Sequence, residues 1–226
     1  MEYPKINSLY KRERHKTNCK NRLLIEGEYA CPEFPSINCW SLTEKVDGTN
    51  IRISMKKTSS GLITFGGRTD NAQVPTTLLN YLQAVFPYLK MKEAFPEAEN
   101  VILFGEGYGG SIQSGQYYSE DPMFILFDVF IDGFWLQRLD VEDVACKLNI
   151  SCCKHIFHKR SSESVELITP IWNIEEIVEF VKCKPDSTIA KEKHQIEGIV
   201  ARAEPQMMFR QGGQIMFKLK CKDFNG

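Results

Sequence analysis

The chain has 226 residues, 42% of them hydrophobic and 25% charged, with a formal net charge of −1. That length can bury a sizeable core, the composition is that of an ordinary globular protein, and the charge balance gives no global attraction to nucleic acid. No apolar run reaches the roughly 18 residues that would cross a membrane, and "MEYPKINSLYKRERHK" lacks the apolar heart of a secretory signal. The expectation is a cytoplasmic protein without a membrane partner, resident in a host's cytoplasm if the source is viral.

In chain order, the first distinct stretch is "KRERHKTNCKNR", residues 11–22. It sets Lys11, Arg12, Arg14, Lys16, Lys20 and Arg22 against Glu13, a net of +5. This reads either as a solvated basic face or as a contact to a phosphate backbone. Next comes "TEKVDGTNIRI", residues 43–53, which reads as strand, tight turn and strand, with Gly48 and Asn50 making the turn. A hairpin needs the Gly and the Asn, but it does not need Lys45, Asp47 and Arg52 around them.

Alternating or continuous apolar runs predict strands at 49–56, 61–66, 100–106, 123–131, 196–202 and 214–220. Helical spacing of Leu78, Leu79, Leu82, Val85, Phe86 and Leu89 behind Pro75 predicts a helix over 75–91. Two more helices are predicted: 141–148 behind Asp140, and 174–182 behind Asn173, with Glu176 placed for a capping box. Strands outnumber helices, so the class is α+β, with mostly antiparallel sheets flanked by helices. No repeat or linker interrupts the chain, so residues 1–226 read as one domain. The eight cysteines contain no CxxC pair, and Cys152-Cys153-Lys154-His155 lacks the second ligand pair of a structural zinc site. They read as reduced thiols.

Charges sit in unusual places at the strand ends. Arg68 follows two glycines in "FGGRTD", and Glu106 ends an apolar strand in "LFGEG". Glu197 opens "IEGIVAR" and Arg202 closes it, while Lys218, Lys220 and Lys222 alternate with apolar residues in "IMFKLKCKDF". Each alone is ordinary for a solvated strand end or an edge strand.

Taken together and in order, these residues resemble one superfamily. Lys45-Val46-Asp47-Gly48 resembles the KxDG nucleophile motif of covalent nucleotidyltransferases, the polynucleotide ligases and mRNA capping enzymes. Phe104-Gly105-Glu106, Phe127-Asp128, Glu197-Gly198-Ile199-Val200 and Lys218-Leu219-Lys220 resemble its motifs III, IIIa, IV and V. "EKVDGTNIRI" with "GGRTD" is most similar to the RNA ligases, in particular the RNA ligase 2-like group. Where DNA ligases and capping enzymes generally carry Arg, this chain has Asn50, with Arg52 two residues on. Nothing similar to a C-terminal OB domain or a motif VI follows Lys220, so the expectation is either a stand-alone nucleotidyltransferase domain or one whose second domain lies outside this sequence.

The resemblance implies ATP and Mg²⁺ or Mn²⁺ as cofactors, and RNA ends as partners, with DNA or hybrid strands as the alternative. It implies that Lys45 attacks the α-phosphate to form lysyl-AMP. Lys218, Lys220 and the metal would lower the proton affinity of the Lys45 amine, and Asp47 would orient that amine or a metal-bound water. Phe127 would stack on the purine, Glu44 would meet the adenine edge, and Glu106 would accept from a ribose hydroxyl. Arg68 would hold ribose or the 5′-phosphate, with Asn50 and Arg52 also on the nucleotide side. Glu197 would offer oxygen to the metal, and Lys218 and Lys220 would neutralise phosphoryl charge. The basic segment 11–22 and "KHIFHKR", residues 154–160, are candidate strand contacts. The rival readings are a DNA ligase, a GTP-using capping enzyme, and a catalytically silent nucleic-acid-binding protein; which NTP labels the chain and which strand it seals separate them.

Overall fold

A computed structural model describes residues 1–13, 23–58, 61–162 and 165–224. It divides into two compact units. One comprises Met1–Tyr3, Asp47–Cys153 and Ile189–Glu192, the other Pro4–Val46, Lys154–Thr188 and Lys193–Gly226. The α+β reading holds: four α-helices accompany mostly antiparallel sheets among the described residues.

In the first unit, strands Leu62–Gly67, Thr49–Lys56, Asn100–Tyr108 and Met123–Ile131 pair antiparallel in that spatial order, and Ser151–Cys152 adds a parallel edge. Ile51, Ile53, Leu103, Phe124, Leu126 and Val129 point into one core, against Leu78, Leu82, Val141 and Leu148 of the helices. The helix predicted over 75–91 is two helices, Thr76–Val85 and Tyr88–Ala94. Pro87 explains the break, because it has no N–H to donate and forces Phe86 out of the helical region, to φ −118°, ψ 58°. The helix predicted over 141–148 starts earlier, at Arg138, with Gln137 rather than Asp140 as its cap. Asp140 lies in the first turn instead, where its charge suits the helix dipole.

In the second unit the spatial order is Asn7–Ser8, Met216–Lys220, Gly198–Ala203, Trp40–Lys45 and Ile171–Trp172, antiparallel except for Asn7–Ser8. Leu42, Ile199, Ala201, Phe217 and Leu219 face a core closed by Ile177 and Val181 of helix Ile174–Lys182. That helix opens on the predicted capping box: Asn173 accepts from the Glu176 amide at 2.8 Å, and Glu176 accepts from the Asn173 amide at 2.8 Å.

The hairpin expected at 43–53 is not one. Trp40–Lys45 pairs with Gly198–Ala203, whereas Thr49–Lys56 pairs with Leu62–Gly67 and Asn100–Tyr108 in the other unit. Gly48 is required for close approach rather than for a hairpin turn. A Cβ there would come within 2.3 Å of the Gly107 carbonyl oxygen and 2.9 Å of Glu106 Cγ.

Candidate active site

In the second unit, strand alternation sorts the functional side chains onto one face. Leu42, Ile199 and Leu219 turn into the core, so Thr43, Lys45, Val200, Arg202, Lys218 and Lys220 lie on the other side. Gly198 sits opposite both Lys45 and Lys220 in register. A Cβ on Gly198 would lie 2.1 Å from the Leu219 carbonyl oxygen and 2.7 Å from Lys220 Cα, so only glycine fits between the two lysine-bearing strands.

Glu197, immediately before that glycine, bridges the two lysines. Lys45 Nζ donates to its Oε2 at 2.5 Å, and Lys220 Nζ donates to its Oε1. The three side chains are 15–23% exposed, which leaves them partly desolvated and open to a ligand. Lys218 lies across from Val200 on the same face. Burial lowers the proton affinity of its amine, and the charges of Lys220 and Lys45 lower it further. The sequence assigned such a depression to Lys45. In the structure the Lys45 amine donates to the Glu197 carboxylate, a contact it has to leave before its nitrogen can attack a phosphorus.

Glu44 is one residue out of phase with Lys45 and lies across from the core residue Ile199. It is 4% exposed. Its carboxylate accepts from Ser187 Oγ at 2.5 Å, the Thr188 amide at 3.0 Å and Thr188 Oγ1 at 3.2 Å. Glu44 thus anchors residues 187–188 beside the strand that carries Lys45; the sequence reading expected it at the adenine edge. No local pattern at 187–188 signals this pairing.

In the first unit, Asn50 lies across from Glu106 in register, on the face opposite Ile51 and Ile53. The Asn50 Oδ1 is buried without a hydrogen-bond partner, an acceptor available to a donor group. Arg52, on the same face, donates to Asp70 Oδ1 at 2.5 Å and to the Met1 carbonyl at 2.8 Å. That contact holds the Asp70 carboxyl below its ordinary range. Arg68 is exposed one residue beyond strand Leu62–Gly67, and Asp47 is half-buried between strands Trp40–Lys45 and Thr49–Lys56.

Phe127 owes its position to a β-bulge. Phe104 pairs with Asp128 but Gly105 pairs with Leu126, leaving Phe127 as the extra residue. The core members of this strand are therefore Phe124, Leu126 and Val129, with a three-residue step across the bulge. Phe127 and Asp128 consequently share the non-core face, which strict alternation forbids. The Phe127 carbonyl accepts from Arg138 Nη1 at 3.4 Å. Tyr3, which the sequence did not single out, reaches both residues: its hydroxyl donates to Asp128 Oδ2, and its ring lies 5.0 Å from that of Phe127.

Of the basic segment, Lys11 pairs with Glu28 at 3.6 Å and Arg12 with Asp223 at 2.8 Å, so both described cations are matched by carboxylates. Arg14, Lys16, Lys20 and Arg22 lie outside the described residues. In 154–160, Lys154 and Phe157 are exposed and His155 bridges Thr43. No group of three or more His, Cys, Asp or Glu gathers among the described residues. No helix among them is long and apolar enough to cross a membrane.

Comparison with curated proteins gives no match. Among solved structures, the fold is similar to a Naegleria gruberi RNA ligase with ATP and Mn, 18% identical over 99% of this chain and 63% of that one, TM-score 0.56. It is also similar to a Naegleria gruberi RNA ligase with PPi, 17% identical over 95% of this chain and 59% of that one, TM-score 0.58. An archaeal ATP-dependent RNA ligase is 14% identical over 97% of this chain and 47% of that one, TM-score 0.52. The chain thus spans about half to two-thirds of the length of these structures. A family model described as RNA ligase matches residues 38–220, a stretch that begins ahead of Lys45 and ends on Lys220. The chain belongs to the RNA ligase family.

Proposed function

We propose that residues 1–226 act as one nucleotidyltransferase domain of an ATP-dependent RNA ligase. It would join a 5′-phosphate to a 3′-hydroxyl through lysyl-AMP and an adenylylated 5′ end. The observation that carries this reading is the bridge of Glu197 between Lys45 and Lys220, which unites the KxDG lysine with the carboxylate and lysine of two distant motifs.

In the first step the Lys45 nitrogen, freed of Glu197 and of its extra proton, attacks the α-phosphorus, and pyrophosphate leaves with the electrons of the broken P–O bond. Lys218 and Lys220 face the phosphoryl oxygens and offset the charge that shifts onto them. Glu197 is the carboxylate suited to Mg²⁺ or Mn²⁺, a hard ion that accepts one protein oxygen alongside phosphates and water. When bound, the metal would supply further positive charge to the phosphates. Phe127 takes the base, Glu106 and Asn50 the ribose side, and Arg68 ribose or a 5′-phosphate. Glu44 keeps residues 187–188 against the nucleophile's strand, and Asp47 orients the approach to Lys45. In the second and third steps AMP passes to an RNA 5′-phosphate and leaves when a 3′-hydroxyl attacks.

The test is incubation with each radiolabelled NTP and Mg²⁺ or Mn²⁺, then a denaturing gel and peptide mapping. One AMP on Lys45 is expected. Label from GTP instead would favour a capping-type enzyme, and label from no nucleotide would favour a silent binding protein. Lys45→Ala should still seal a pre-adenylated RNA strand, because that step does not use the lysine as nucleophile. Strong self-labelling with no sealing of RNA or DNA would leave an adenylyltransferase that needs further polypeptide to join ends.

A further inference from the structure

We infer that Tyr3 is a positioning residue for Phe127: it braces that ring at the angle at which it receives the purine of a nucleoside triphosphate. The inference rests on the ligase reading above, in which Phe127 is the base-stacking residue.

The bulge creates the need for a brace. A residue in a regular strand is held by its ladder hydrogen bonds and by neighbours on its own face. Phe127 is the one residue of Met123–Ile131 that the pairing with Asn100–Tyr108 skips, and a bulged residue is held less firmly by the ladder. Phe127 is also absent from the core formed by Phe124, Leu126 and Val129, so core packing does not fix its ring. What stands against it is Tyr3.

Tyr3 itself is well fixed. It is 5% exposed, and its hydroxyl donates to Asp128, which is 4% exposed. Its ring meets Phe104 at 5.0 Å and Trp135 at 6.0 Å. The residues before it are tied to the same unit, through Arg52 on the Met1 carbonyl and the Asp70 amide on Glu2 Oε1 at 3.0 Å. Tyr3 meets Phe127 at an interplanar angle of 64°. An edge contact of this kind is favourable between aromatic rings, and it covers at most one face of Phe127. A planar base can therefore stack on the other. Tyr3 does not touch the nucleotide in this account. Its hydrogen bond to Asp128 sets its own place, and its ring sets that of Phe127.

The experiment is single-turnover self-adenylation of the full chain against ATP concentration, with inorganic tripolyphosphate as a competitor that has phosphates but no base. Tyr3→Ala should raise the apparent KM for ATP about three- to fivefold, no more than loss of the Phe127 ring itself, while the limiting rate stays within about twofold. Tyr3→Phe keeps the ring and loses the hydroxyl, and should raise KM about two- to threefold. Inhibition by tripolyphosphate should be unchanged in both variants. Tyr3→Ala added to Phe127→Ala should cost nothing further, because the brace has nothing left to hold. An unchanged KM in both variants would overturn the inference, as would equal losses of ATP and tripolyphosphate affinity or additive losses in the double variant. Where Tyr3→Ala fails to fold, Tyr3→Phe decides by the same readouts. A wild-type chain that takes no label from ATP refutes the ligase reading and the inference with it, and the wild-type lane alone distinguishes that outcome.

Discussion

The two units solve different problems with different materials. The second presents charge: Lys45, Lys218 and Lys220 gather around Glu197, and two of the three lysines are bound to its carboxylate at rest. The first presents shape: Phe127 is braced by Tyr3, and Asn50 and Glu106 stand side by side over a Gly48–Gly107 approach too close for any Cβ. The proposed phosphoryl transfer needs cations that can be handed from a resting partner to a substrate, and a partly solvated cluster whose lysines outnumber its one carboxylate suits that need. A flat base needs a face already in place, because each ring left free to rotate would cost entropy on binding. The lesson is that preorganisation here is electrostatic in one unit and steric in the other.

Variants should therefore fail in different ways. The largest effect is expected for Lys45→Ala, which should lower self-adenylation at least about a thousandfold, the scale on which loss of a covalent nucleophile acts. Its unfolding free energy should stay within about 1 kcal/mol of wild type, since Glu197 retains Lys220. Intact mass and urea denaturation measure the two quantities.

Glu197→Ala comes next, with a fall of about a hundredfold in labelling. It leaves three lysines facing one another without their carboxylate. Stability should drop at low ionic strength and recover with salt, as screening weakens like-charge repulsion. A loss of stability indifferent to salt would show that Glu197 supports the unit by packing rather than by charge.

High pH compares the cores of the units. Burial raises the Tyr10 hydroxyl of the second unit to about 12, with help from Tyr29 and Glu26, and burial raises Tyr108 of the first unit to about 12, with help from Tyr81. Both pKa values are raised on folding, so their stabilisation is complete below pH 10 and is lost as pH rises toward 12. The loss should be on the order of 1–2 kcal/mol for each, allowing for solvent screening. Denaturation at pH 9 and pH 11 should show it, and Tyr10→Phe or Tyr108→Phe should each remove its share.

The smallest effect belongs to Phe127→Ala. It removes a stacking face worth about 1 kcal/mol beyond its burial, so the KM for ATP should rise about fivefold with little change in the limiting rate. Thermal stability should hold, because Phe127 is not a member of the core. A melting temperature that falls with ATP affinity would place the ring in the core and blur the contrast between the units.

The sequence by itself determined what short spacing can carry. Lys45-Val46-Asp47-Gly48, Glu106, Phe127, Glu197 and the Lys218/Lys220 pair stand out because each is a charge or ring in or beside a recognisable strand. The capping box at Asn173 and Glu176 is closed by residues three apart. Pro87 also carried its message locally, although the helical spacing around it masked the break between Val85 and Tyr88. Tertiary structure alone decided the rest. Whether residues 43–53 form a hairpin depends on the partner of Trp40–Lys45, and that partner begins at Gly198. The phase that puts Lys45 on one face and Glu44 on the other, the bulge that brings Phe127 and Asp128 together, and the place of Tyr3 all follow from register between distant strands. A strand's side chains alternate with a period of two, so one added or slipped residue reverses every face beyond it, and only the pairing partner fixes which face is which.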